Sequence, residues 1–586
     1  MPINTPWLFN YGVVPQKLDY PKGSMFDLIN STAQKYPDYT ALSFMGAHTT
    51  YKEMIEQIHL VAKAFAAAGV KAGQRVTLCL PNLPQTLLCF YALNLIGAIS
   101  NMIHPLSSEG EIVFYLEESE SVAAVTLDQF YDKFTEVRKE YALPQLIIAS
   151  VGDALSPIKR LGYKLTEGRK IAPIPKDAPV ILWNDFLAAA EKYQGSYIAD
   201  VKGDDVAVIL YSGGTTGVNK GILLSSFNFN ALAMQIPAMG QCLIPGKAML
   251  SVMPMFHGFG LGVGIHGMLG IGCRCILVPR FNVSSYAKLL RKEKPNYIAG
   301  VPSLYEALLR SPEMEGVDLS CLLGVFSGAD SLSIELKKKF DAFLKQHNAT
   351  VEIREGYGGT ESVTASCLTP IHMAREGSVG LPFPDMLFKI VAVGTTRELP
   401  YGEEGEICVS GPTVMLGYMN HPEETADTLQ KHEDGLIWMH SGDLGLMDDG
   451  GFVYFRQRIK RMIKSSGYSI YPSQLENVLD AHEAVLMSCV IGVPDPLKEQ
   501  KIKAFVMLKP EVTDEPAALN SIWEHCRRNI AKYSMPYDIE LRQNFPQTLI
   551  GKVAFKVLEA EEALKREQRE ELMPHDEGLA EQIVKA

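Results

Sequence analysis

Between Asp205 and Glu355 short apolar runs alternate with segments of helical spacing, and that alternation most narrows what the chain can fold into. Residues 206–211, 249–254, 297–301, 323–327 and 351–355 read as buried strands. Residues 226–239, 284–292, 303–309 and 334–346 read as the helices between them. Strands joined through helices pair in parallel, with helices covering the sheet faces. The pattern predicts an α/β body with largely parallel sheets. Ligands in such folds sit beyond the carboxyl ends of the strands. Two glycine-rich segments fall at such ends, after Tyr211 and after Glu355.

Elsewhere the signals are local. Thr50 and Glu53 have capping-box spacing, Ile55, Ile58, Ala62 and Phe65 follow on one helical face, and Gly69 stops the helix. Residues 75–80 then read as a strand. Residues 144–200 carry Pro173, Pro175 and Pro179 with weak periodicity and read as surface excursions. Past Gly402 the pattern changes to short strands and turns. Residues 460–558 have their own rhythm, with strands at 488–493 and 503–509 and a helix at 519–531, and suit a small domain. Residues 559–586 are highly charged and read as a solvated helix or frayed tail. A chain of 586 residues is too long for one small domain.

Net charge of -12 gives no electrostatic case for nucleic acid or an anionic membrane as partner. An anionic substrate must therefore meet a local basic pocket. The ten cysteines form no Cys-x-x-Cys pair and no His/Cys cluster at zinc spacing, so a reducing, cytoplasmic compartment is expected. Cys273 and Cys275 share one face of a strand and suit the core. No signal peptide is visible at the start. The apolar stretches 86–104 and 251–278 are interrupted by polar residues and glycines, so both read as core and no transmembrane segment is expected.

The strongest chemical signal is Tyr211-Ser212-Gly213-Gly214-Thr215-Thr216-Gly217-Val218-Asn219-Lys220-Gly221. Three glycines let backbone amides turn toward an anion, Thr215 and Thr216 add hydroxyl donors, and Lys220 adds a point charge. The set suits a polyphosphate. It is no Walker A loop, because Asn219 and Gly221 flank the lysine where that motif has Gly and Ser/Thr.

This segment resembles the phosphate loop of the adenylate-forming superfamily, which includes acyl-CoA synthetases, peptide-synthetase adenylation domains and firefly-type luciferases. The Ser212-Gly213-Gly214 variant is similar to the long-chain fatty acyl-CoA synthetase branch. Further segments match in order. Pro254-Met255-Phe256-His257-Gly258 resembles the segment whose His lies beside the acyl pocket. Ser327-Gly328-Ala329-Asp330 resembles the loop that packs on adenine. In Glu355-Gly356-Tyr357-Gly358-Gly359-Thr360-Glu361 the resemblance puts Tyr357 on the purine, Thr360 on the α-phosphate and Glu361 on Mg²⁺, with Thr215 as a further metal contact. Ser441-Gly442-Asp443 resembles the segment whose Asp accepts from the ribose hydroxyls. Arg458 matches a ribose contact and Lys460 a hinge, although Gln457 stands where the family has Gly. Ser466, Gly467 and Tyr468 match the loop on the coenzyme A side, and Lys552 the catalytic lysine.

The resemblance implies a large N-terminal α/β domain over 1–459 that binds AMP and the acyl group. It implies a small, mobile α+β domain over 460–558, followed by the tail at 559–586. It also implies a reaction. A carboxylic acid attacks the α-phosphorus of ATP, pyrophosphate leaves, and the acyl-adenylate passes its acyl group to coenzyme A. Lys552, Thr215, Glu361 and His257 would serve the chemistry. Two anions must meet, so catalysis rests on charge compensation and alignment. The branch favours a medium- or long-chain fatty acid; an aromatic or other bulky acid is the alternative. A carrier-protein thiol could replace coenzyme A, luciferase-like oxygenation exists on the same fold, and a catalytically silent scaffold is the non-enzyme alternative. A lipid-like acid would arrive from a bilayer, which leaves peripheral membrane contact open, and a homodimer is open as well.

Overall fold

The computed structural model describes residues 3–212, 219–465, 468–548 and 553–572. Contacts divide the chain between Phe455 and Arg456 into two compact units.

In the first unit, one nine-stranded sheet has a parallel centre. Ile353–Tyr357, Gly324–Ser327, Tyr297–Gly300, Ala248–Ser251, Arg274–Leu277 and Thr40–Phe44 lie side by side. Antiparallel strands close its edges: Ala47–Thr50 at one, Cys367–Leu368 and Leu381–Pro382 at the other. An eight-stranded sheet repeats the plan. Val206–Ser212, Ile99–Met102, Arg75–Cys79, Ala123–Leu127, Gln145–Ala149 and Ile181–Leu182 are parallel. Lys220–Ser225 and Gly417–Tyr418 extend that sheet antiparallel. The expected α/β body with largely parallel sheets is present. A third, five-stranded sheet is antiparallel along its path of Leu387–Val391, Gly405–Ser410, Ile437–Met447 and Leu429–Lys431, and Val453–Arg458 pairs with Ile437–Met447 off that path.

Local chemistry explains the helices around these sheets. Thr50 accepts the Glu53 amide, Glu53 accepts the Thr50 amide at 2.8 Å, and helix Tyr51–Ala67 starts there. Its Ile58, Ala62 and Phe65 are fully buried, as the spacing predicts. Helix Pro84–Leu95 buries every residue after its first. At 12 residues it is a core helix and too short to span a bilayer. Among the described residues no helix is long and apolar enough to cross a membrane.

Two sequence expectations need correction. Residues 144–200 are not all surface excursion. Gln145–Ala149 is an inner strand of the eight-stranded sheet, and helix Trp183–Lys192 buries Trp183 and Phe186. A five-residue buried strand leaves only a short apolar run, which the nearby prolines masked. Helix Pro157–Leu165 within that region does stay outside, with Ile158, Leu161 and Leu165 exposed. The charged tail is likewise no free segment at its start. Helix Phe555–Leu572 begins before residue 559 and buries Leu558 and Glu562.

The second unit, taken by itself, has a five-stranded sheet. Tyr468–Ile470, Ile463–Ser465, Glu499–Leu508 and Val485–Asp495 are antiparallel neighbours, and Asp538–Leu541 pairs in parallel with Glu499–Leu508. Its helices are Pro472–Asp480, Glu515–Asn529 and Phe555–Leu572, so the unit is α+β. Lys503 is almost fully buried among three carboxylates: Glu540 at 2.7 Å, Glu562 at 2.8 Å and Asp538 at 3.1 Å. Glu562 thus ties the last helix to the sheet.

Candidate functional site

The first glycine-rich segment joins two antiparallel strands, with Ser212 opposite Lys220 in the register. Gly213, Gly214, Thr215, Thr216 and Gly217 lie outside the described residues, as does the Ser212 side chain. Lys220 is described. Its ammonium is 3.4 Å from Glu424 and 5.3 Å from the centre of the Tyr418 ring. The Tyr418 hydroxyl donates to Glu361 Oε1 at 3.2 Å. Tyr418 therefore connects two residues of widely separated motifs. Asn219 donates to the Tyr115 hydroxyl at 2.6 Å, and the Tyr115 ring lies against Tyr211, centroids 4.3 Å apart. Neither Tyr418 nor Tyr115 carries a sequence signal of its own.

The second glycine motif differs from a simple loop after Glu355. Gly356 and Tyr357 still belong to strand Ile353–Tyr357, paired with Cys367–Leu368. The chain then turns tightly. A Cβ on Gly358 would fall 2.4 Å from the Thr364 carbonyl oxygen, so only glycine fits there. Thr360 and Glu361 stand on the short 3-10 turn Thr360–Ser362. After it, Val363 and Thr364 take left-handed φ angles of +52° and +74°. Such angles cost β-branched residues about 1–3 kcal/mol each and cluster where a site must be held in one shape. The Val363 amide donates to the Thr360 carbonyl (3.1 Å) and the Thr364 amide to the Gly359 carbonyl (2.7 Å), which holds them. The buried Thr364 hydroxyl oxygen has no hydrogen-bond partner among the described residues.

A mostly apolar cavity, partly open to solvent, adjoins these turns. Gly328, Ala329, Gly356 and Thr364 line it together with Phe259, Val263, Leu243, Ile236, Met268 and Phe326. Among the described lining residues none is charged. Ala329 also has a left-handed φ, +70°. Its loop is tied to the neighbouring strand through the Leu332 amide, which donates to Glu355 at 3.1 Å. Desolvation pushes the Glu355 carboxyl up to about 8. Phe259 and Val263 belong to a fully buried π-helix, Phe259–Gly267, whose Gly260, Gly262 and Gly267 stand where a Cβ would crowd its neighbours. A Cβ at Gly260 would lie 2.1 Å from the Pro254 carbonyl oxygen. The sequence signals neither this rare helix nor its cavity residues, although four glycines in an apolar run mark close backbone approach. His257 precedes it in a turn, where its Nδ1 accepts the Phe259 amide at 3.2 Å, and it is not among the cavity-lining residues.

Asp443 is buried on strand Ile437–Met447. Its Oδ2 accepts the Tyr357 hydroxyl at 2.7 Å, so the structure brings these two motif residues together. The Tyr357 ring lies 5.9 Å from Phe455 and 6.4 Å from Phe388, a small aromatic cluster. In the second unit Arg458 ends strand Val453–Arg458 and Lys460 sits on turn Ile459–Arg461, both exposed. Gln457, within that strand, is buried, and both polar atoms of its side-chain amide lack partners among the described residues. Ser466, Gly467 and Lys552 lie outside the described residues, as does the side chain of Tyr468.

Known proteins bear on this arrangement. The AMP-binding enzyme family matches residues 29–419, and the AMP-binding enzyme C-terminal domain matches residues 474–552. A long-chain-fatty-acid--CoA ligase of Bacillus subtilis is 33% identical over 567 residues, covering 95% of this chain and 98% of the relative. ATP-bound MatB from Rhodopseudomonas palustris superposes with a TM-score of 0.79 at 23% identity, covering 92% of this chain and 99% of that one. The anthranilate CoA ligase AuaEII in complex with anthranoyl-AMP gives 0.78 at 23% identity, covering 94% and 98%. The chain thus belongs to the AMP-binding enzyme family of the adenylate-forming superfamily, in its fatty acyl-CoA synthetase branch, and is an AMP-forming acid–thiol ligase.

Proposed function

We propose that the chain converts a medium- or long-chain fatty acid to its acyl-adenylate with ATP and Mg²⁺ and transfers the acyl group to coenzyme A. The observation that carries the choice of acid is the uncharged, apolar cavity that starts at Gly328, Ala329 and Gly356. An alkyl chain entering it gains about 0.8 kcal/mol per buried methylene, roughly fourfold each. Specificity should therefore climb with chain length until the cavity is full. Phe259, Phe326 and Phe383 in the lining favour an aromatic acid as the second reading. Pyrophosphate release over a panel of acids, with and without coenzyme A, decides between them. AMP should accumulate with pyrophosphate, and stoichiometric ADP would defeat the mechanism outright.

In this reading residues 1–459 bind nucleotide and acid, residues 460–558 carry Lys552, and the second unit turns about Lys460 between half-reactions. Ser212 to Gly217 and Lys220 hold the polyphosphate. The Lys220 ammonium already stands beside Glu424, so an arriving phosphate would compete with that carboxylate. Tyr357 packs on adenine while its hydroxyl orients Asp443 for the ribose. Arg458 contacts the ribose as well. Thr360 bonds the α-phosphate, His257 stands beside the acyl path, and Ser466, Gly467 and Tyr468 flank coenzyme A.

Glu361 offers a hard carboxylate on a tight turn, oriented by the Tyr418 hydroxyl, and that donor fits Mg²⁺. Thr215 would be its partner ligand. Bound there, the ion would neutralise charge on the phosphate oxygens. Glu361→Gln keeps the volume and removes the charge. It should lower adenylation and raise the Mg²⁺ needed for half-maximal rate. A Mg²⁺ titration that overlays the unmodified enzyme would remove Glu361 from the ligand set.

The ten cysteines are free thiols, which supports a reducing compartment. Exposed Ile158, Leu161 and Leu165, with Lys159, Arg160 and Lys164 on the same helix, support peripheral contact with a bilayer from which the acid arrives.

A further inference from the structure

Cys408, His432 and His440 meet in the antiparallel five-stranded sheet, outside every motif discussed above. Cys408 on strand Gly405–Ser410 is the register partner of His440 on strand Ile437–Met447. His432 follows strand Leu429–Lys431, which pairs with the same strand as Cys408 does. One donor atom from each residue lies within 4.8 Å of the other two. Cys408 is fully buried, and His432 is only 5% exposed.

The proton arrangement is informative. His440 Nδ1 is 2.9 Å from Glu406 Oε2 and donates its proton there. In the neutral ring its Nε2 then carries a lone pair. That lone pair faces His432 Nε2 at 3.0 Å, so His432 must donate from Nε2. His432 Nδ1 is then a bare, buried nitrogen, and it has no hydrogen-bond partner among the described residues. A carboxylate behind an imidazole fixes its tautomer and raises its basicity, the outer support that metal-binding histidines use.

We propose that Cys408, His432 and His440 bind one zinc(II) ion, as a thiolate and two neutral imidazoles. This donor set suits a borderline ion and not the hard Mg²⁺ proposed for adenylation. With bonds of about 2.0–2.1 Å to nitrogen and about 2.3 Å to sulfur, tetrahedral donors stand roughly 3.3–3.6 Å apart. The two ring nitrogens are near that spacing, and a donor pair at the 4.8 Å limit would close by about 1 Å. Binding releases the Cys408 thiol proton to solvent. The His432 proton moves from Nε2 to Nδ1, which frees the Nε2 electron pair for the ion. Water fills the fourth position, and no electron is transferred. Lys389, the cation beside the cluster, is already paired with Asp434 at 2.8 Å. Glu406 carries the consequence onward: its Oε1 accepts the Gly442 amide at 3.0 Å, directly before Asp443. The ion would brace the strand that presents Asp443.

The test uses the full chain without an affinity tag, stripped with a chelator and titrated with Co²⁺ or Zn²⁺ alone. One equivalent of Co²⁺ should give tetrahedral ligand-field bands with a thiolate-to-cobalt charge-transfer band, and one equivalent of Zn²⁺ should erase both. Cys408→Ser should lose the charge-transfer band and at least tenfold in zinc affinity. Glu406→Gln keeps all three ligands and should weaken zinc binding by about 10- to 100-fold. A chain that binds neither ion, or a cobalt spectrum without the thiolate band, overturns the site whether or not the variants fold. An unchanged band in a folded Cys408→Ser variant, as judged by circular dichroism, does the same.

Discussion

Lys552→Ala should slow acyl-adenylate formation about a hundred- to a thousand-fold and largely spare thioester formation from supplied acyl-adenylate. The cause is electrostatic. In the first half-reaction a carboxylate approaches the α-phosphorus of a polyanion. One positioned cation where they meet, away from bulk water, stabilises the transition state by about 2.7–4 kcal/mol. In the second half-reaction the thiol attacks the acyl carbon, and the small unit should have turned Lys552 away. Lys460→Pro should show the reverse asymmetry. Proline restricts φ and removes an amide donor at the proposed hinge, so adenylation should survive and transfer to coenzyme A should fail. Two assays on each variant decide: acid-dependent pyrophosphate release, and coenzyme A consumption with synthetic acyl-adenylate. Equal losses in both assays for both variants would end the two-conformation mechanism.

Lys503→Met should destabilise the second unit by about 1.5–3 kcal/mol, because Asp538, Glu540 and Glu562 lose the buried cation they share while Lys565 and Arg542 still stand beside Glu540 and Lys565 beside Glu562. Trp523 is the sole tryptophan beyond residue 455 and reports this unit alone. Denaturant unfolding followed by its fluorescence gives the difference directly. The pH dependence gives a second readout. Burial pushes the Glu540 carboxyl up, but hydrogen bonds from Lys503 and Lys565 outweigh it and hold the group at about 2. A depressed carboxylate contributes stability above its unfolded value of 4.5, and that contribution is lost as pH falls toward 2. The unmodified protein should weaken across this window. The variant should recover stability across it, as protonation relieves the crowded carboxylates. A variant within 1 kcal/mol of the parent at pH 7 would mean that the cluster is worth no more than a surface pair.

The sequence is most legible where one physical cause dominates. Helix Ile334–Gln346 and the capped helix beginning at Tyr51 follow from helical spacing and a cap, both local. The alternation over residues 205–355 carries most of the parallel centre of the nine-stranded sheet, whereas most of the eight-stranded sheet has no such signal. What stays hidden is whatever depends on distant residues meeting. Tyr418 joins Lys220 to Glu361, although nothing near residue 418 announces it. Gly356 and Tyr357 read as loop because glycines outweighed the pairing with Cys367–Leu368, which only the folded chain supplies. Cys408, His432 and His440 have no zinc-like spacing, since three strands and their register, not neighbouring positions, gather them. The strain at Val363 and Thr364 is invisible for a further reason: both are ordinary strand formers, and only the turn around them forces left-handed angles.

The π-helix has an evolutionary consequence. In Phe259–Gly267 the glycines bring bare backbone against its neighbours, and Gly260 has no room for even one methyl group. Drift at such a position would be purged through loss of folding before any change in catalysis could be selected. Phe259 and Val263 are the members of that wall whose side chains line the cavity, so they are where it can vary without collapsing. A lineage exploring new acids would therefore change its menu at a few codons between immobile ones. Paralogues with different diets should differ at these two positions while the intervening glycines stay fixed.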